Sequence, residues 1–137
     1  MRFILERLWV DTDEMLQVEV FLEGGGYSAT QDIYVYPAML EEFGEKLQNF
    51  PASILDEVVL EIGSTEEGNY CWLKLRAYVY DGSGHSAFEI SVKRNGAPQV
   101  KTQSQFSVLI EAASLNSLGE EINNWAINNE NSLLFTC

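Results

Sequence analysis

Bases are scarce in this chain: eight lysines and arginines stand against 21 aspartates and glutamates in 137 residues, a formal net charge of −13. A field of that sign disfavours nucleic acid, because binding polyphosphate draws on counterions released at a basic face. Histidine occurs once, at His85, which leaves little of the usual catalytic equipment. The two cysteines, Cys71 and Cys137, form neither a C-x-x-C nor a Cys/His pattern. That excludes a zinc spacing and suits a reducing compartment. Long apolar runs are missing too. Glu6 and Arg7 interrupt the opening after Phe3, Ile4 and Leu5, so no signal-peptide core forms, and no uncharged stretch is long enough to span a bilayer. The expectation is a cytoplasmic protein with no membrane role, no metal and no cofactor.

What is present is a sizeable apolar content, 46% of residues. A chain of this length buries on the order of two thirds of its unfolded surface in one core, so residues 1–137 read as a single domain. No internal repeat or low-complexity segment is evident. The charge is unevenly placed: residues 1–68 hold 15 acids and three bases, residues 69–110 two acids and five bases, and residues 111–137 four acids and no base. Such a distribution attracts a basic partner and speeds its encounter, and it also keeps a small domain soluble.

Period-two patterns dominate. Phe3 to Val10 is apolar and β-rich, Asp11-Thr12-Asp13 breaks it, and Met15 to Glu23 alternates Leu16, Val18, Val20 and Leu22 against Gln17, Glu19, Phe21 and Glu23. Gly24-Gly25-Gly26 supplies a reversal before the strand Tyr27 to Tyr36. A phosphate loop is excluded there because no Gly-Lys-Ser/Thr follows. Pro37 opens a helix with Leu40, Phe43, Leu47 and Phe50 on one side and Glu41, Glu42 and Glu45 elsewhere; acids near its start complement the helix dipole, and Pro51 ends it. Strands return at Val58 to Ile62, Tyr70 to Tyr80, Phe88 to Val92 and Phe106 to Ile110. A last helix is expected to carry a capping box in Ser117 and Glu120 and an apolar stripe of Leu118, Ile122 and Trp125. Residues 128–137 are too few to assign. The predicted fold is α+β: a single antiparallel sheet of six to seven strands with two helices packed on one face.

The candidate chemistry is thin. Ser83, His85 and Asp81 lie within five residues of each other, but triad members come from separate parts of a fold, so a turn ending in a histidine is the better reading. Asp11, Asp13 and Glu14 lack the glycine of a calcium loop, since its sixth position is Leu16. The informative feature is the outward side of the longest strand, Tyr70, Trp72, Lys74, Arg76, Tyr78 and Tyr80. Aromatics and arginine are the side chains enriched at interface hot spots. The same residues also stabilise a sheet by pairing with Glu57, Glu61 and Glu89 on neighbouring strands. Together with Glu41, Glu42 and Glu45 they are the candidate partner-binding residues; no catalytic residue is expected.

Gly25-Gly26-Tyr27-Ser28, Tyr34-x-Tyr36-Pro37, Glu42-Phe43-Gly44 through Phe50-Pro51, and Trp72-Leu73-x-Leu75-Arg76-Ala77-Tyr78-Val79-Tyr80-Asp81-Gly82-x-Gly84-His85 resemble a family of small, uncharacterised bacterial proteins related to the WapI-type immunity proteins of contact-dependent toxin systems. The similarity spans residues 2 to about 110. It implies a non-enzymatic protein that neutralises a toxin by binding, with a basic toxin domain as partner, and it supplies no catalytic residues. The alternative expectation is a housekeeping ligand-binding or assembly module, with a homodimer formed through the exposed sheet face.

Overall fold

A computed structural model describes residues 1–66 and 68–137. In chain order the elements are β1 (Arg2–Val10), β2 (Leu16–Gly24), β3 (Tyr27–Val35), α1 (Pro37–Gln48), β4 (Glu57–Gly63), β5 (Cys71–Val79), β6 (Ser86–Arg94), β7 (Thr102–Ile110), α2 (Ala112–Ile127) and β8 (Ser132–Thr136). The strands form two antiparallel four-stranded sheets, ordered β3-β2-β1-β8 and β4-β5-β6-β7. The expected α+β class holds, but the expected single sheet is corrected to two. The reason is physical: an antiparallel strand with one apolar side reads the same whether a helix or another sheet covers it.

Here each sheet covers the other. Phe3, Leu5, Val18, Val20, Leu22 and Ile33 of the first sheet share one buried core with Leu60, Leu73, Leu75, Phe88 and Ile90 of the second. The Phe3 and Phe88 rings meet edge to face, their centroids 5.9 Å apart. Each such side chain contributes about 1.5–3 kcal/mol when fully buried, which is why the strand pattern dictates which side faces in.

The helices are not a layer over one sheet face, as the sequence suggested. They pack on each other and lie beside β4 and β8. Gly44 of α1 and Gly119 of α2 sit at the crossing. A Cβ on Gly44 would lie 2.7 Å from the Gly119 carbonyl oxygen, and one on Gly119 would lie 2.6 Å from that of Gly44. Asn116 reaches across from α2 to the carbonyls of Leu47 (2.8 Å) and Phe50 (2.7 Å), and Asn123 to that of Glu41 (3.0 Å). Asn116 thereby ties α2 to the C-terminal end of α1 and the segment that follows it.

Pro37 starts α1 as expected, after Tyr36 in the cap position, but the first turn contains no acid; Glu41, Glu42 and Glu45 come later. The capping box is also corrected. The cap of helix α2 is Glu111, six residues before the expected Ser117, and Ser117 is interior, its hydroxyl donating to the Ala113 carbonyl at 3.2 Å. Residues 132–136, left unassigned by the sequence, form β8 and pair with β1 from Arg2↔Thr136 to Glu6↔Ser132.

The topology contains a repeat that the sequence hides. Four neighbouring strands β8-β1-β2-β3 lead into α1, and four neighbouring strands β4-β5-β6-β7 lead into α2. The helices match residue by residue at one constant offset: Leu40, Phe43, Gly44 and Leu47 correspond to Leu115, Leu118, Gly119 and Ile122, and all eight are buried. The chain is two strand-meander-and-helix units, with one strand of the first unit supplied from the far end of the sequence.

Candidate functional site

Residues Trp72, Lys74, Arg76 and Tyr78 leave β5 on the outer face of the second sheet, because Leu73, Leu75 and Ala77 between them are buried. Tyr70 and Tyr80 flank the strand and are exposed. Register aligns Lys74 with Glu61 and Ser91, and Arg76 with Val59 and Glu89. The stripe is largely engaged within its own sheet. Arg76 pairs with Glu57 at 3.1 Å and with Glu89 at 3.4 Å, and its guanidinium lies 3.9 Å from the Tyr78 ring centre. Burial works against the Arg76 charge, but the Glu57 hydrogen bond and the Glu89 carboxylate outweigh it and raise the pKa above its ordinary value. The Trp72 indole donates to Glu61 at 2.7 Å, and the hydroxyls of Tyr78 and Ser107 are 2.8 Å apart. Lys74 makes no ion pair with a described residue.

The acids of α1 approach this face only in part. Glu42, held by Lys46 at 3.0 Å, shares a cleft of about 200 Å³ with Met39, Val59 and Glu61. Glu41 and Glu45 do not line that cleft. The α1 and β5 groups therefore meet along the β4 edge, through Glu42, Glu61 and Trp72.

Sequence reasoning missed the outer face of the first sheet. Register places Glu6 opposite Glu19, and Glu19 opposite Asp32, so three carboxylates form a line across β1, β2 and β3. On one side of that line lie Trp9 and Tyr34, 63% and 57% exposed; on the other lie Ile4, Phe21 and the exposed Leu134. The nearby bases are already committed. Arg2 pairs with Glu23 at 3.5 Å, and Arg7 donates to the side chains of Asn129 and Asn131. Like charges directly opposite each other in a sheet are destabilising, so the line costs stability. Among the described residues no three His, Cys, Asp or Glu side chains converge to hold a metal, and the row is a charged line rather than an ion cage. Glu19 was legible as part of a polar strand side, but alignment of acids from three strands depends on register.

The Asp81–His85 segment is a capped turn. One Asp81 oxygen accepts the backbone N–H groups of Ser83 (3.0 Å) and His85 (3.1 Å), while the other is 2.6 Å from His85 Nδ1. Tyr80 stacks on the imidazole with centroids 6.0 Å apart. The His85 side-chain bond first, and the backbone N–H bonds with it, hold the Asp81 pKa below its ordinary value. A depressed carboxyl adds stability that is complete above the unfolded-state pKa and lost as pH falls through the folded one. Asp81→Asn is therefore expected to lower stability at neutral pH, and the gap from the parent should close in strong acid. Urea unfolding of both proteins at the two pH values checks this, and a gap that widens in acid would contradict it.

The Asp11–Glu14 segment is likewise a turn. Asp11 accepts from the Thr12 N–H at 2.7 Å, and Asp13 accepts from the Met15 N–H at 3.2 Å and from the Tyr36 hydroxyl at 2.9 Å. No described helix is long and apolar enough to cross a membrane.

The chain matches no protein-family model and no curated protein. Two solved plant structures are similar in outline. WHY3 from Arabidopsis thaliana has 8% identity and a TM-score of 0.47, with 91% of this chain and 78% of that one covered. The plant transcriptional regulator PBF-2 has 11% identity and a TM-score of 0.49, with 93% and 75% covered. The expected exclusion of nucleic acid is corrected by the placement of the bases in the folded chain. The exclusion rested on net charge alone. Net charge is a poor guide to local sign here: Lys74, Arg76, Lys93, Arg94 and Lys101, five of the eight bases, lie on or beside β5, β6 and β7.

Proposed function

We propose that this chain is an immunity-type binding protein that neutralises a basic toxin domain by lying over it, with the outer face of the first sheet as the main contact. The observation that carries this reading is the line Glu6, Glu19 and Asp32 between an exposed aromatic row and an apolar row. Stability alone would not keep three carboxylates side by side, whereas a surface reserved for a cationic partner tolerates that cost. The acids steer the approach, and Trp9 and Tyr34 offer large, rigid area to anchor it. The resemblance to WapI-type immunity proteins supports the same reading. Glu42, Glu61 and Trp72 along the β4 edge, with the rest of the β5 stripe beside them, form the second contact region.

The test is kinetic binding to a toxin domain encoded beside this protein, measured across a salt series. Neutralising the line with Glu6→Gln, Glu19→Gln and Asp32→Asn should slow association at low salt by roughly tenfold and leave less salt dependence, since charges act over about 8 Å at physiological ionic strength. The same variant should melt at or above the parent temperature. Trp9→Ala should instead speed dissociation, by roughly thirtyfold if it is a hot spot worth about 2 kcal/mol. Unchanged association and dissociation in these variants would overturn the reading and favour an assembly module. That alternative would show as self-association of the parent chain.

A further inference from the structure

The bases of the second sheet gather at one end. Lys93 and Arg94 close β6, Lys101 precedes β7, and from Lys93 to Gln105 the sequence holds no acid. These three residues, with Asn95, Thr102 and Gln103, line a cavity of about 210 Å³. None of the three bases makes an ion pair with a described residue, although the protein has 21 acids to offer.

The walls are fixed before any ligand arrives. Asn95 is buried, donates its side-chain amide to the carbonyls of Glu66 (3.1 Å) and Asn69 (2.7 Å), and donates its backbone N–H to that of Tyr70 (2.9 Å). Gly96, at φ 142°, turns the loop, and the Lys101 N–H closes it onto the Ala97 carbonyl at 3.1 Å. The Arg94 guanidinium lies 6.0 Å from the Tyr70 ring centre, and its Nε is buried without a partner among the described residues. Lys93 spends one ammonium proton on the Thr65 carbonyl at 3.2 Å and keeps two.

We propose that the Lys93–Arg94–Lys101 cavity is an anion site for a phosphate-type group. Three basic residues bordering one small cavity supply positive charge and N–H donors for the acceptor oxygens of an oxyanion, and charge-assisted bonds of this kind are the strong ones. The cavity borders β6 and β7 of the second sheet, whereas the acidic line crosses β1, β2 and β3 of the first.

Amide-resolved NMR titration of the intact chain at low ionic strength tests the site with two probes, inorganic phosphate and a short single-stranded oligothymidylate. Saturable shifts are expected at Lys93 to Gln103. The variant Lys93→Gln with Lys101→Gln should weaken binding by roughly tenfold or more. It should keep the parent melting temperature, and Lys46→Gln on α1 should bind as the parent does. If the oligonucleotide binds more tightly than phosphate and more steeply with salt, the group comes from a nucleic-acid backbone; if it gains nothing over phosphate, the ligand is a free phosphate compound. Shifts absent from this segment with both probes, or unaltered in the double variant, would overturn the proposal.

Discussion

Gly119→Ala should lower the melting temperature by several degrees, although helix propensity alone argues the opposite. Alanine in a helix interior is favoured over glycine by about 0.8–1.0 kcal/mol. Packing wins here because the new Cβ would lie 2.6 Å from both the Gly44 carbonyl oxygen and Leu47 Cβ, and 3.0 Å from the Gln48 backbone nitrogen. Two of those atoms are backbone and cannot swing aside, so α1 and α2 must separate. Overpacking of this kind costs about 1–3 kcal/mol, a large share of the roughly 5–15 kcal/mol that holds a domain together. Separation would also stretch the Asn116 bonds to Leu47 and Phe50. Gly44→Ala meets the same crossing from the other side, at 2.7 Å from the Gly119 carbonyl oxygen and 2.8 Å from the Asn123 nitrogen. The double variant should then cost less than the sum of the singles, because one separation relieves both clashes. Gly82→Ala, where a Cβ meets nothing within 4 Å, is the control and should stay within about 0.5 kcal/mol of the parent. Thermal melts of the four variants beside the parent decide it. A stabilised Gly119→Ala would mean the helices do not touch at these glycines.

Local alternation and helical spacing carried most of the element assignments. Leu16, Val18, Val20 and Leu22 are all buried, as their period of two requires, and so are Leu40, Phe43, Leu47, Phe50, Leu118, Ile122 and Trp125 at helical spacing. What local patterning omits is partnership. Nothing in a half-apolar strand says whether its cover is a helix or a second sheet, and a five-residue segment such as Ser132–Thr136 shows its nature only beside β1. The duplicated architecture was hidden for a related reason. The helices retain Leu-x-x-Phe-Gly-x-x-Leu and Leu-x-x-Leu-Gly-x-x-Ile, but the strand sequences have little in common and one strand of the first unit comes last in the chain. The helix start at Ala112 escaped because Glu111 makes no side-chain cap bond, whereas Ser117 and Glu120 imitate one inside the helix.

The candidate surfaces divide in the same way. The β5 stripe was visible because its six residues lie on or next to one strand, and its internal pairing with Glu57 and Glu89 was foreseeable in kind. The line Glu6, Glu19 and Asp32 was not, since it is made by three strands in a register that includes an irregularity between Arg7 and Trp9. Without that irregularity Trp9 would not align with Gln17 and Tyr34 beside the acids. The Lys93, Arg94 and Lys101 cavity was legible only as an excess of bases over residues 69–110; that these three border one cavity depends on the turn between β6 and β7.

Leu75→Asp is expected to leave the chain unfolded at ordinary temperature. Leu75 is 1% exposed at the middle of β5, an interior strand between β4 and β6, and its cross-strand neighbours Leu60 and Ile90 are buried as well. The inner face there looks onto the first sheet, so a carboxylate would have neither water nor a base to meet. Truncation to alanine removes packing alone and costs about 2–5 kcal/mol. An unpaired buried charge adds a desolvation penalty of several kcal/mol, which brings the sum to the order of the whole stability of the domain. The neighbouring position supplies the internal control. Lys74 points to the outer face, because successive side chains in a strand alternate, and Lys74→Asp changes the charge without entering the core. It should melt within a few degrees of the parent. In circular dichroism melts Lys74→Asp is expected near the parent and Leu75→Ala below it, with Leu75→Asp showing no cooperative transition. A cooperative melt near the parent temperature for Leu75→Asp would mean that this face of β5 is open to solvent, and the two-sheet core built around it would be wrong.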